Sequence, residues 1–323
     1  MCITSEKNFS ENWKTNQDKK DSESGVSIPL PKNELSSATA TLKECGSLCS
    51  YDKICSEGKY YPLCKVDVNC GVVMNRMAWT NYTQIYPPLR NMPPRMKQDY
   101  LQNGQCHAAK NMYFVDFRPS AEHVVREHSM DHIENLIARD VAGEKIASYK
   151  DSVDFSRLLV KFNWAIKEKE AVVIGTEQPW VESMLLRNSA KHVTTLEYNE
   201  LVLNHPKLGV KTPYRYAQDY LEGNVKQFDV AASFSSLEHS GLGRYGDPLN
   251  PFGDLEAVAQ VWCMLKPGGI FFLAVPSAGK CFIQWNEARH YSEVRLKHLT
   301  ANWEVIHMER HQHFQLVLQK PVT

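Results

Sequence analysis

The chain has 323 residues, 43% of them hydrophobic and 23% charged, an ordinary globular balance with room for one large domain and an appendage, or for two domains. Lysine plus arginine and aspartate plus glutamate both number 37, so the formal charge is zero, which argues against broad electrostatic capture of nucleic acid or of an anionic membrane. No apolar run approaches the ~20 residues of a membrane span, and the opening Met1-Cys2-Ile3-Thr4-Ser5-Glu6-Lys7 lacks the apolar core of a signal peptide.

Residues 1–40 are rich in Lys, Glu, Asp, Asn and Ser without periodic apolar positions, the composition of a disordered tail. Residues 41–110 form a cysteine-rich extension in which Cys45, Cys49, Cys55, Cys64, Cys70 and Cys106 gather, with Pro87-Pro88 and Pro93-Pro94 marking irregular chain. Clustering of this kind is common in oxidised, secreted modules. The spacing lacks paired C-x-x-C knuckles, so disulfides lead over free thiols and a structural metal. Two sequons, Asn8-Phe9-Ser10 and Asn81-Tyr82-Thr83, are acceptors only in the secretory lumen. The cysteines thus point to that lumen and the start of the chain to the cytosol; a truncated start or an alternative isoform reconciles the two.

Residues 111–150 read as a helical linker or accessory region. A helix is predicted over 120–139, with Ser120 as cap and Val125, Ile133, Leu136 and Ile137 as a partial stripe. His128 and His132 lie one turn apart on it, but without an H-E-x-x-H context they read as an exposed or partner-bonded pair rather than metal ligands.

From 151 to 323 the pattern is ordered. A helix over 152–167 places Phe155, Leu158, Leu159, Phe162 and Ile166 on one face. An apolar run then stops at glycine in Ala171-Val172-Val173-Ile174-Gly175-Thr176-Glu177, a buried strand turning over. Pro179 opens the next helix, with Trp180, Val181, Met184 and Leu185 as its stripe. Val193-Thr194-Thr195-Leu196-Glu197 is a second strand ending on a carboxylate. Phe228-Asp229-Val230-Ala231-Ala232-Ser233-Phe234 is another. Asp254 is expected to cap a helix burying Leu255, Val258, Ala259 and Trp262. Leu265-Lys266-Pro267-Gly268-Gly269 leads into the strand Ile270–Pro276. A helix near 291–300 and strands near 304–308 and 314–319 close the chain. Strands alternating with helices imply an α/β, Rossmann-like, doubly wound and mostly parallel sheet, whose ligand sits at the carboxyl ends of the strands.

That address gathers the candidate site. Gly175, Thr176 and Glu177 form a degenerate nucleotide-binding turn with one glycine of a full Gly-x-Gly-x-Gly, or a plain strand-to-helix turn. Glu197 lies 22 residues beyond Gly175, close to the ~20 at which an acidic side chain accepts the ribose hydroxyls of a nucleoside cofactor. Ser235 and Ser236 border the same cofactor site. The loop that follows, Leu237 to Pro248, is dense in glycine and reactive groups. In it His239, near its ordinary pKa of ~6.5, is expected as general base, with Glu238 or Asp247 orienting it and Arg244 gripping an anionic or carbonyl group. Asn286, Arg289 and Tyr291 either roof the pocket or satisfy backbone groups in a long connection.

Over Val172–Lys320 these motifs resemble the family called domain of unknown function 268. The resemblance rests on Ile174-Gly175-Thr176-Glu177, Glu197-Tyr198-Asn199, the run from Ser236 to Pro248, Leu265 to Gly269, and Asn286 to Tyr291. That family is similar to S-adenosylmethionine-dependent methyltransferases of the Rossmann-like class I, whose sheet also ends in a strand pair with an antiparallel last strand. The resemblance points to S-adenosylmethionine as cofactor, and the leading expectation is methyl transfer to a small-molecule or glycan-like acceptor, at oxygen. The competing expectation is a catalytically inactive methyltransferase-like binding or scaffold protein, since fold does not imply function. A nucleotide-linked oxidoreductase fits the Pro-Gly-Gly hinge and the terminal strand pair less well.

Overall fold

The computed structural model of the chain describes residues 68–79, 88–109, 114–116 and 125–322. The expectations for the tail at 1–40, for Cys45, Cys49, Cys55 and Cys64, for both sequons and for Ser120 lie outside the described residues.

Helix α1 (Cys70–Trp79) carries Cys70, Val73, Met74 and Met77 at helical spacing, the last three buried. Helix α2 (Pro94–Tyr100) opens on proline, where a missing N–H is tolerated. Two short strands follow, β1 (His107–Ala109) and β2 (Arg126–His128). Ser129 then starts α3 (Met130–Val141), its Oγ accepting the His132 N–H at 3.2 Å. Within the helix predicted over 120–139, the described residues form a strand followed by a later, Ser129-capped helix. Helix α4 (Ser152–Lys161) buries Phe155, Leu158 and Leu159 as its stripe requires, and a 3-10 turn at Asn163–Ala165 replaces the expected last turn.

The chain then runs through β3 (Glu170–Ile174), α5 (Trp180–Arg187), β4 (His192–Leu196), β5 (Leu201–Leu203), β6 (Leu208–Lys211) and α6 (Pro213–Leu221). It continues with β7 (Phe228–Phe234), α7 (Gly253–Met264), β8 (Leu265–Pro276), β9 (Phe282–Gln284), β10 (Ala288–His290), α8 (Glu293–Leu299), β11 (Glu304–Arg310) and β12 (His313–Gln319). Seven strands pair in the order β11-β12-β8-β7-β3-β4-β6. The pairs β8–β7, β7–β3, β3–β4 and β4–β6 are parallel, and β12 is antiparallel to both of its neighbours. The doubly wound, mostly parallel sheet with a closing antiparallel strand stands as the sequence implied. Asp254 corrects one detail: Phe252 holds the N-cap position of α7, and Asp254 lies buried inside the first turn.

Apolar side chains alternate across the sheet into two cores. Val172, Ala231, Phe271, Leu273 and Leu316 face α6, α7, α8 and α1. Ala171, Val173, Val193, Val230 and Phe272 face α3, α4 and α5. The alternation follows from the two-residue period of a strand with both faces covered.

Among the described residues two disulfides staple the cysteine-bearing segment onto the sheet domain. Cys70 of α1 bonds Cys263 of α7, and Cys106 bonds Cys281. The second bridge sits one residue ahead of the parallel pair β1–β9, in which His107 faces Phe282. The bridges close loops of 193 and 175 residues, and each bond of this kind stabilises by about 2–4 kcal/mol. Unreduced protein made in an oxidising compartment is therefore expected to leave Cys70, Cys106, Cys263 and Cys281 unalkylated even in denaturant, by mass spectrometry of the peptides. Labelling of these four before reduction would refute both bridges.

Candidate active site

The chain passes from β3 outward to β4 and β6, then returns past β3 to β7 and β8, so the order of strands reverses at the β3–β7 junction. A crevice opens at the carboxyl ends of strands at such a junction, and ligands bind there. Here it is a cavity of about 450 Å³, within the ~300–1,000 Å³ usual for small-ligand sites. Gly175, Thr176, Glu177, Glu197, Ser235, Ser236, His239, Arg244 and Asp247 all line it. Glu238 lies behind this lining and is fully buried.

On the β3–β4 side, Gly175 turns the chain at φ +66°, and a Cβ there would meet Ser236 Oγ at 2.1 Å. Glycine is thus demanded by the packing of one strand end on the next. Glu197 is buried, and its Oε1 accepts the N–H groups of Tyr198 and Asn199 at 2.9 and 3.0 Å, with Asn199 Nδ2 at 3.3 Å. Its Oε2 accepts the Thr176 N–H at 3.0 Å. Burial raises the Glu197 pKa, against the pull of these backbone donors. Glu197 therefore ties the turns after β3 and β4 together, and Oε2, with one donor, keeps room for another. Thr176 turns inward, donating its hydroxyl to the Gln178 carbonyl at 2.6 Å. Glu177 pairs with Arg126 at 2.8 Å on the exposed rim. Leu196, Pro213 and Met77 supply apolar lining beside them.

On the β7 side, Ser235 adopts φ +51°, a strained conformation for a non-glycine residue of the kind that gathers at functional sites. Its Oγ donates to Glu238 Oε1 at 2.5 Å, and the Tyr149 hydroxyl hydrogen-bonds the same Ser235 side chain. Burial pushes Glu238 up to about 7, against the lowering effect of Ser235, Arg244 and Arg289. His239 Nδ1 lies 2.6 Å from the Glu287 carbonyl and 3.0 Å from Arg244 Nη1; the carbonyl, the nearer partner, can only accept, so we assign the proton to Nδ1. That leaves Nε2 as the bare nitrogen, 3.6 Å from Glu238 Oε1. Arg244 Nη1 donates to the Glu287 carbonyl at 3.1 Å. Burial first, then the Arg244 charge, lower the His239 pKa to about 3. The premise of a histidine near its ordinary pKa is corrected: this imidazole stays neutral across the physiological range.

The rest of the loop is held by buried groups. Asp247 accepts backbone N–H groups from Gly241, Gly243 and Tyr245 at 2.8, 3.2 and 3.2 Å, so it organises its own loop. Gly241, at φ +76°, would place a Cβ 2.2 Å from the Asn250 carbonyl oxygen. Arg289 donates to the carbonyls of Ser240 and Asn250 at 2.5 and 3.0 Å. Asp254 takes Arg295 Nε at 2.7 Å and the Tyr291 hydroxyl at 2.9 Å. Asn286 pairs with both backbone groups of Val115. Of the two readings of Asn286, Arg289 and Tyr291, satisfaction of backbone and buried partners is the one seen. Tyr100 of α2 donates to the Gly241 carbonyl at 2.6 Å, so the segment before the sheet also pins this loop. Tyr149, Trp180, Tyr245, Arg76 and Met77 line the cavity as well. Nothing in their spacing marked Tyr149 or the two α1 residues, because they reach the site through long-range packing. Among the described residues no group of three or more His, Cys, Asp or Glu side chains is placed to hold a metal, and His128 instead donates from Nε2 to the Glu177 carbonyl at 3.2 Å.

The strand order, the antiparallel closing strand and the cavity at the switch point define a class I methyltransferase-like fold. Residues 168–319 match the family described as Caenorhabditis protein of unknown function, DUF268, the family that the loop motif resembles. No curated protein matches the chain in sequence. Solved structures with likeness include a protein provisionally assigned as a hemolysin from Streptococcus thermophilus, 18% identical, with a TM-score of 0.38 over 55% of this chain and 68% of that one. Another is the 1,6-didemethyltoxoflavin-N1-methyltransferase of Burkholderia thailandensis with bound S-adenosylhomocysteine, 15% identical, TM-score 0.36, over 66% of this chain and 100% of that one. A third is the [4+2]-cyclase SpnF, 14% identical, TM-score 0.35, over 62% of this chain and 99% of that one. Likenesses at this level leave function to the residues of the site.

Proposed function

We propose that the chain is an S-adenosylmethionine-dependent methyltransferase acting at a hydroxyl of a small-molecule or glycan-like acceptor. The observation that carries the reading is the Ser235–Glu238 pair on the cavity floor: a lining hydroxyl backed by a buried carboxyl whose pKa stands at about 7. A proton acceptor works best when its pKa lies near the operating pH. The acceptor hydroxyl donates to Ser235 Oγ, whose own proton passes to Glu238 Oε1. Neutral His239 presents Nε2 to the same carboxyl, and Tyr149 fixes the Ser235 rotamer. Glu238, rather than His239, is thus the proton acceptor, while Asp247 and Arg244 shape the loop. On the cofactor side Glu197 would hold the ribose of a bound cofactor, with Gly175, Thr176 and Ser236 as the adjoining wall. When bound, S-adenosylmethionine would supply the electrophilic sulfonium methyl that an acceptor hydroxyl, relieved of its proton by the Ser235–Glu238 pair, would take. The two disulfides support an oxidising compartment. Among the described residues no helix is long and apolar enough to cross a membrane.

Calorimetric titration is expected to give binding of S-adenosylmethionine and none of NAD; failure to bind the former would overturn the reading. A second reading, a silent methyltransferase-like scaffold, is favoured by one observation: the Glu197 carboxylate is already engaged by three backbone donors. Glu197→Gln separates the two. Under the enzymatic reading it weakens cofactor binding by about 1–3 kcal/mol, the range for charge-assisted hydrogen bonds. Under the scaffold reading it lowers stability to denaturant and leaves ligand titrations featureless.

A further inference from the structure

Helix α1 lies outside residues 168–319, the stretch shared with the family, yet Arg76 and Met77 at its C-terminal end line the cavity. Its first residue, Cys70, is bonded to Cys263 near the end of α7. Arg76 Nε meets Glu256 Oε1, near the start of α7, at 2.8 Å, with both side chains only 15% exposed. The two helices therefore lie antiparallel and are pinned at two points, one covalent and one ionic. Between the pins Val73 and Met74 are buried in the same core as Leu255, Val258 and Ala259. Cys70 and Met77 are two helical turns apart, about 10 Å, so the disulfide fixes the far end of a short lever whose near end is cavity wall. A helix of 10 residues is too short to hold itself together in water and depends on its docking.

We propose that α1 is a wall of the ligand site and that the Cys70–Cys263 disulfide holds this wall in place, so that ligand affinity depends on that bond. The inference rests on the methyltransferase reading for its choice of probe. A dithiol reductant breaks the S–S bond to give two thiols and is itself oxidised to a disulfide. α1 then keeps its buried face and the Arg76–Glu256 pair but loses its covalent tie. When the docked form is only fractionally populated, the apparent dissociation constant rises by the inverse of that fraction.

The test compares the full-length wild type with Cys70→Ser/Cys263→Ser. Hydrogen exchange of residues 70–79 is expected to quicken in the double variant while β7 and β8 stay protected. The dissociation constant for S-adenosylmethionine is expected to rise about tenfold, as a docked fraction of one tenth gives. Unchanged exchange in 70–79 overturns the proposal, and so does quickened exchange with an unchanged dissociation constant. If the wild type does not bind S-adenosylmethionine, the methyltransferase reading fails, and the proposal is judged on the exchange of 70–79 alone. Should the double variant not fold, Arg76→Gln, which releases the ionic pin and leaves the disulfide, is put through the same two measurements.

Discussion

Glu238→Gln is expected to lower methyl-transfer turnover by about 10²–10⁴-fold and, at the same time, to make the protein more stable above pH 7. The two effects have one cause. Burial holds the Glu238 carboxyl at about 7 in the fold, against an ordinary 4.5. Between those values the native state binds more protons than the unfolded chain, so this group's contribution to stability is full below about 4.5 and is lost as pH rises through 7. The wild type therefore carries a buried carboxylate at the pH where it works, and the neutral amide removes that burden. His239 works in the opposite sense, its pKa lowered to about 3, so its destabilising protonation sets in only on acidification and is common to both proteins. Turnover of the wild type, followed as S-adenosylhomocysteine release with hydroxyl acceptors, is expected to rise with pH and level off above about 7. A flat profile from pH 5 to 9, or a variant that loses stability at pH 8 in urea, would remove Glu238 from the proton path.

Much of the sheet was legible because its signals are local. The runs ending at Gly175, Glu197 and Phe234 have the length and apolar content of buried parallel strands, and each is found where its turn residue stops it. Strand β6 and helix α6 were not read, although Thr212 caps that helix by accepting the Arg215 N–H at 3.2 Å. β6 spans only Leu208–Lys211 and contains Gly209, too short to show a period. Of the site, the reactive loop was legible as a cluster, but not the division of labour within it. Asp247 and His239 look equally reactive in sequence. Only the fold gives the Asp247 oxygens to three backbone donors and surrounds the imidazole with arginine charge. The α1 wall was invisible because Arg76 and Glu256 are brought together by a disulfide whose partners are 193 residues apart.

Asp254→Ala is expected to destabilise the protein by about 3–5 kcal/mol, the range for removing one partner of a buried ion pair. Asp254 is fully buried, as are Arg289 and Arg295 around it. Arg295 approaches with Nε at 2.7 Å and Nη2 at 2.5 Å, and Arg289 Nε lies 3.6 Å from Oδ1. Burial alone would raise the Asp254 pKa, but the two arginines together with the Tyr291 hydroxyl outweigh it and hold the group at about 2. A folded-state pKa below the ordinary 3.8 means that the stabilisation is present above about 4 and is lost as pH falls towards 2. Truncation leaves both guanidinium groups without a counter-charge in a place water does not reach. The damage should extend to the site, because Arg289 also gathers the carbonyls of Glu238, Ser240 and Asn250. Urea denaturation at pH 7 gives the loss directly, and repeating it at pH 3 should shrink the difference between variant and wild type. A loss under 1 kcal/mol at pH 7 would mean that water enters the cluster and screens the two arginines. The loop after β7 would then owe its shape to Asp247 and the Tyr100 hydroxyl instead.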